Sequence, residues 1–222
     1  MQKCKCFLCS QKTDRTSLIV ETTAPQGMHP LANAYLWRSF RLILELGFGL
    51  YSRRIALLRS LGLRGTESTL DIGCGTGEFS VVTSGTYLGV DMNPQYVQSA
   101  HRFHPGKEFL CADVTRLVST GRSFEVGLLV DVLHHLPGEE IIRLFATLAE
   151  ILTQRIYVID PVTQSPSNRL GRWIISKDRG RFVRPKSELL SLLEGAMEVL
   201  TVHDTRLMLI EGICVTGKPR RL

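Results

Sequence analysis

The sequence has no apolar run long enough to cross a bilayer. Its longest apolar stretch, Leu42 to Leu50, is interrupted by Glu45 and flanked by Arg38, Arg41, Arg53 and Arg54, whereas a spanning helix needs about 20 predominantly apolar residues. The Met1 end offers only Phe7 and Leu8 as a first apolar stretch, too little for the apolar region of a secretory signal. The expected setting is therefore cytoplasmic, with reduced thiols. There is no internal repeat and no low-complexity tract. A fourth ligand is also lacking where Cys4, Cys6 and Cys9 crowd together, and a structural zinc site wants four, usually as two separated pairs. No metal is expected.

What is present suits one folded domain. Of 222 residues, 44% are hydrophobic and 22% charged, enough apolar mass for a full core. The formal net charge of +6 favours anionic partners without choosing among them. Residues 1–30 read as a loosely ordered lead-in. From 31 to 63 the apolar spacing turns helical, and Gly47 and Gly49 are expected to divide the segment into two helices. The second would place Tyr51, Ile55, Leu58 and Leu61 on its apolar face.

Strand and helix signals then alternate between 64 and 161. Short apolar strands are expected at Thr69 to Ile72, Thr86 to Val90, Glu108 to Ala112, Phe124 to Val130 and Arg155 to Ile159. The first runs into a glycine-rich turn, and the other four end directly in Asp91, Asp113, Asp131 and Asp160. Pro94 sits where a helix begins, and a clear amphipathic helix follows from Gly138 to about Leu152. This alternation predicts a parallel sheet with helices on both faces. Right-handed crossovers bring the carboxyl ends of the strands to one edge, where ligands of open parallel sheets bind.

The central motif is Leu70-Asp71-Ile72-Gly73-Cys74-Gly75-Thr76-Gly77. A glycine-rich turn lets backbone approach a ligand closely. A lone G-x-G-x-G is weak, but Asp71 lies two residues before the first glycine, and the G-x-G-x-x-G pattern of dinucleotide sites is absent. A pyrophosphate suits the Asp71 carboxylate poorly, whereas an ammonium-bearing ligand suits it well.

With these residues the sequence resembles the class I S-adenosylmethionine-dependent methyltransferases, in the branch that modifies small molecules. The resemblance runs from Leu70 to Pro161. It implies a Rossmann-like α/β fold with a central, mostly parallel seven-stranded sheet, and S-adenosyl-L-methionine as cofactor. Asp71, Gly73, Cys74, Gly75 and Gly77 match the loop that wraps the methionine part. Asp91, followed by Met92, matches the residue that accepts hydrogen bonds from both ribose hydroxyls. Asp113, followed by Val114, matches the contact to the adenine amino group. Asp131 and Val132 open the loop DVLHHLP, which borders the methyl donor. Only fourteen positions separate Gly77 from Asp91, so the first helix of the core must be short.

No catalytic residue is identifiable with the same clarity. His134 and His135 are adjacent and point apart, so one packs under the sheet edge and the other is a weak candidate for a general base. The segment 162–186 follows the fifth strand, where an acceptor site is expected, and 187–222 completes the domain as a helix and strands. Seven cations fall between Arg169 and Lys186, against Asp178 alone. Arg179, Arg181 and Arg184, with Trp173, are weak candidates for holding a small, anionic or lipid-like acceptor. Trp37, Phe40, Phe48 and Tyr51, interspersed with arginines, suit a lid and leave peripheral membrane contact through the N-terminal helices open. Nucleic acid is disfavoured as a partner: the fourth strand ends in DVLH, not in an Asn-Pro-Pro-Tyr type of motif, and no RNA-binding module is recognisable. An RNA or protein methyltransferase, or a cofactor-binding protein without activity, remain the alternatives.

Overall fold

The computed structural model describes residues 43, 45, 47, 49–112, 121–177, 180–207 and 209–220. Cys4, Cys6, Cys9, Asp113, Val114 and Arg179 lie outside them, as do Trp37, Phe40 and Phe48. Among the described residues no helix is long and apolar enough to cross a membrane.

Helix α1 (Leu50–Ser60) precedes β1 (Thr69–Ile72), a 3-10 turn (Glu78–Val82), β2 (Tyr87–Asp91), α2 (Pro94–Phe103), β3 (Glu108–Cys111) and β4 (Phe124–Val130). A second 3-10 turn (Leu133–His135) leads to α3 (Gly138–Ile151), β5 (Leu152–Pro161), α4 (Arg169–Lys177), α5 (Lys186–Ala196), β6 (Met197–Leu207) and β7 (Ile210–Pro219). The seven strands form one sheet in the order β3-β2-β1-β4-β5-β7-β6. Strands β1 to β5 are mutually parallel, while β7 runs antiparallel to both β5 and β6. This is the α/β, mostly parallel, seven-stranded Rossmann-like sheet expected from the sequence.

The apolar runs explain the central strands. β4 carries buried residues at all but one of its seven positions, the pattern of a parallel strand covered on both faces. On one face α3 supplies Ile141, Leu144, Phe145, Leu148 and Ile151, all buried, which recur at the spacing of a single helix face. On the other face Tyr51 and Leu58 of α1 join Phe79, Val82, Leu128, Val130 and Tyr157. Gly49 adopts a left-handed φ of 60° immediately before α1, and so marks the expected helix break. The Glu45 carboxylate then accepts the Tyr51 N–H at 2.6 Å, doing the work of an N-cap.

Two local expectations change. The short helix between Gly77 and Asp91 is a five-residue 3-10 turn, because β2 must begin at Tyr87. The inward face of α1 carries Arg54, 7% exposed, beside Tyr51 and Leu58, while Ile55 is only half-buried. A cation on the face predicted to be apolar needs a partner, and it finds one at the edge of the sheet.

Candidate active site

The glycine-rich turn owes its shape to backbone geometry that L side chains resist. Gly73, Gly75 and Gly77 have φ of 70°, 56° and 85°, all in the left-handed region. The turn is pinned to β2 by the Gly73 and Cys74 N–H groups, which donate to the Val90 carbonyl at 2.7 and 3.0 Å. A Cβ on Gly73 would lie 2.6 Å from Val132 Cγ2, so the turn and the loop after β4 pack directly on one another.

Asp91 closes β2 and faces this turn. Its carboxylate accepts the Gly75 N–H at 2.9 Å and the Asn93 N–H at 2.8 Å. Asn93 caps α2 by accepting the Gln95 N–H. Capping is therefore the task of Asn93, and Asp91 stands half-exposed beside the glycine turn. Met92, next in sequence, is 49% exposed. The Ala112 N–H donates to the Asp91 carbonyl at 3.0 Å, which brings the chain leading to Asp113 beside β2.

Asp71 does not open toward a ligand as the sequence suggested. It is 1% exposed and accepts the Tyr87 hydroxyl at 2.6 Å. Burial and the neighbouring Asp71 charge push the Tyr87 hydroxyl well above its ordinary range, so it stays a donor. Its role is to hold β1 to β2 beneath the turn. The Cys74 thiol is likewise buried, and burial pushes its ionisation far up. It packs and does not react.

After β4, Asp131 is the one non-glycine residue with positive φ, 58°, among the described residues. A strained backbone of this kind persists only when its surroundings hold it. Here a bidentate pair does so, with Arg54 Nη1 and Nη2 at 2.7 and 2.9 Å from the two carboxylate oxygens. This pair is the partner that Arg54 requires, and it ties α1 across the edge of the sheet. Arg54 Nε is buried without a hydrogen-bond partner among the described residues. Nothing local in the sequence flags Arg54 except its helical spacing from Tyr51, three residues earlier.

Asp160 at the end of β5 is the second residue whose role sequence reasoning missed. It is 1% exposed. Its carboxylate accepts the N–H groups of Val132, Leu133 and His134 at 3.0, 2.8 and 3.1 Å, and meets His134 Nδ1 at 2.9 Å. One side chain thus shapes the whole loop after β4. The histidine pair divides as expected. His134 is 3% exposed and backed by Gly180, where a Cβ would fall 2.0 Å from its ring. His135 is exposed, its ring centroid 4.1 Å from that of His134. Only His135 is placed to meet solvent-borne protons.

The basic segment splits in the same way. Arg181 and Trp173 are exposed, but Arg184 turns inward at 7% exposure. Its guanidinium donates to the carbonyls of Leu133, Phe182 and Leu136 at 3.3, 2.9 and 2.8 Å. Arg184 is a strut for the loop after β4, which corrects its expected place among the acceptor contacts. A hollow of about 450 Å³ does open on the same edge, on the β5–β7 side and away from the glycine turn. Thr163, Ser165, Lys186, Arg206, Glu211 and Gly212 are among its lining residues.

Residues 69–155 match a protein family described as a methyltransferase domain. No curated protein matches the chain significantly. Solved structures share the fold. Magnesium protoporphyrin IX methyltransferase from Synechocystis PCC 6803, solved with bound SAH, is 17% identical, with a TM-score of 0.61 over 85% of this chain and 95% of that one. The N-methyltransferase NodS from Bradyrhizobium japonicum WM9 is 14% identical, with a TM-score of 0.59 over 78% and 98%. The pyocyanin biosynthetic protein PhzM is 17% identical, with a TM-score of 0.63 over 83% of this chain and 58% of that one.

Proposed function

We propose that this protein, whose residues 69–155 match a family described as a methyltransferase domain, moves a methyl group from S-adenosylmethionine to a small-molecule acceptor. The observation that carries this reading is the junction of the Gly73–Gly77 turn with Asp91, whose carboxylate is bonded to the Gly75 N–H. The residues present fit the cofactor. Gly73, Gly75 and Gly77 hold the left-handed φ values that shape the turn beside Asp91, Asp91 offers a half-exposed carboxylate for the ribose hydroxyls, and Met92 offers an exposed apolar side chain beside it.

Bound there, the cofactor supplies a methyl group already activated on a sulfonium, ready for in-line displacement. The chain's own task is then to align an acceptor and exclude water. The Asp131–Arg54 pair fixes α1 over the strand edge, and Asp160 fixes the loop carrying Val132, which packs on the glycine turn. His135, exposed at the end of the loop after β4, is the weak candidate for taking a proton from an acceptor hydroxyl. The formal net charge of +6 favours an anionic acceptor, and Arg181 is exposed. In the hollow at the end of β5, Lys186 and Arg206 are matched by Asp204 and Glu211.

Asp91→Ala is expected to weaken S-adenosylhomocysteine binding by about 1.5–3 kcal/mol, the scale of hydrogen bonds to a charged group, with little change in folding stability. Asp91→Asn should lose less, because an amide oxygen still accepts the Gly75 N–H. Calorimetric titration of the two variants measures both. For the acceptor, protein incubated with methyl-labelled S-adenosylmethionine and carboxylate- or phosphate-bearing small molecules should place label in the low-mass fraction. Label confined to RNA or protein added in parallel would overturn the small-molecule reading.

A further inference from the structure

Helix α4 (Arg169–Lys177) is held against the domain by its least bulky residue. Gly171 is the one buried position of the helix, and a Cβ there would fall 2.3 Å from Asn168 Nδ2 and 2.5 Å from the Leu209 carbonyl oxygen. Asn168, itself 8% exposed, accepts the Gly171 N–H at 3.0 Å and donates to the Leu209 carbonyl at 2.7 Å. This clamps the helix to the β6–β7 end and fixes which way it faces. Ile174 and Ile175, flanking Gly171 on the helical wheel, are half-buried. The opposite face is therefore turned outward.

That outward face is unusual for a water-facing helix. Trp173 is 60% exposed and Leu170 52% exposed. Arg169, Trp173 and Lys177 fall in one i, i+4, i+8 row, so the indole has a cation on each side along the helix. Arg172 flanks this row, and Arg181 follows on the adjoining segment beside Phe182, 38% exposed. Arg169, Arg172, Lys177 and Arg181 are all exposed, and none pairs with a described carboxylate. From Val162 to Lys186 the only acidic residue in the sequence is Asp178.

We propose that α4 is an interfacial anchor that seats this protein on an anionic lipid surface. An indole and a leucine beside arginine and lysine is the composition of helices that lie in the headgroup region, apolar side chains toward the acyl boundary and cations toward lipid phosphates. The lysine and arginine stems reach the headgroups while their carbon chains cover apolar surface. The aliphatic Leu170 favours a bilayer over a nucleic acid, since single-stranded nucleic acid is held by stacking on aromatic rings. Charge complementarity names the lipid. Four cations that pair with no described carboxylate gain little on a zwitterionic membrane and about a fivefold increase in partitioning each on an anionic one. The anchor lies at the carboxyl edge near the acceptor hollow, but it does not depend on the identity of the methyl donor.

The test uses full-length protein carrying Trp37→Phe, which leaves Trp173 as the sole tryptophan. Vesicles of phosphatidylcholine with phosphatidylglycerol, and of phosphatidylcholine alone, are titrated into it. Flotation with the anionic vesicles, a blue shift of Trp173 emission and quenching by brominated lipid are expected. High salt should reverse them, and phosphatidylcholine alone should produce none. Leu170→Glu should abolish the shift while circular dichroism and S-adenosylhomocysteine binding stay unchanged. Arg172→Gln with Lys177→Gln, which leave the apolar residues intact, should weaken flotation about 25-fold, two steps of the same factor. Equal binding to both vesicle types, vesicle binding with unaltered Trp173 emission, or absence of binding would overturn the proposal. So would a Trp173 response to single-stranded RNA, or to rising protein concentration without vesicles, in place of the lipid response.

Discussion

Gly75→Val is expected to abolish binding of S-adenosylhomocysteine, lowering affinity at least about 100-fold, because two effects act on one point. Residue 75 holds φ of 56°, where a β-branched side chain is a genuine outlier and costs of order 1–3 kcal/mol. Relief of that strain must rotate the Gly75 N–H away from the Asp91 carboxylate that accepts it. The side chain also adds bulk to the turn proposed to hold the cofactor, where glycine has none. A control separates strain from site damage. Gly106 also has a left-handed φ, 87°, but a Cβ there meets nothing within 4 Å. Gly106→Val should therefore cost stability of about the same size and leave ligand affinity unchanged. Isothermal titration of both variants, with thermal melts, provides the comparison. Binding by Gly75→Val within threefold of the parent would contradict the assignment of the turn.

The second large effect is expected at Asp160, which acts through the loop after β4. Asp160→Ala removes the acceptor for three backbone N–H groups and for His134 Nδ1, all buried. Donors left unsatisfied in a buried site cost about 1–3 kcal/mol each, though not additively. A destabilisation of about 3–5 kcal/mol in urea denaturation is the expected result. Asp160→Asn keeps one good acceptor oxygen and should lose less than half of that. The change should also reach the cofactor. Val132 rides on the loop that Asp160 shapes, and a Cβ at Gly73 would lie 2.6 Å from its side chain, so loosening one loosens the other. Affinity for S-adenosylhomocysteine should fall in Asp160→Ala at temperatures where the protein remains folded. If stability changed by less than 1 kcal/mol, water would be serving these donors and the loop would not depend on Asp160.

Much of this was readable from residue pattern, and the reason is local. The strand ends at Asp91 and Asp131, the glycine turn and the helix from Pro94 all follow from short-range signals: apolar runs, acidic terminators, a proline at a helix start. The helix face Ile141, Leu144, Phe145, Leu148 reads directly as a 3.6-residue period. What escaped depends on contacts between distant segments. Arg54 and Asp131 are 77 positions apart, and periodicity placed Ile55 inward because it ranks side chains by polarity alone. Arg184 reads as an acceptor contact, since a run of basic residues carries no record of the carbonyls of Leu133 and Leu136 that one of them satisfies. The spacing of Asp71 from the glycines points to a ligand, whereas its burial against the Tyr87 hydroxyl depends on a residue 16 positions away. The Asp113 and Arg179 expectations fall outside the described residues.

The central claim is that the edge formed by the Gly73–Gly77 turn and Asp91 is a site for S-adenosylmethionine and its demethylated product. Calorimetric titration of the unmodified protein with S-adenosylhomocysteine and, separately, with NAD tests it most directly. The account predicts saturable heat with S-adenosylhomocysteine, equal to one site per chain, and none with NAD. Saturable binding of NAD, with no heat from S-adenosylhomocysteine or S-adenosylmethionine, would contradict it.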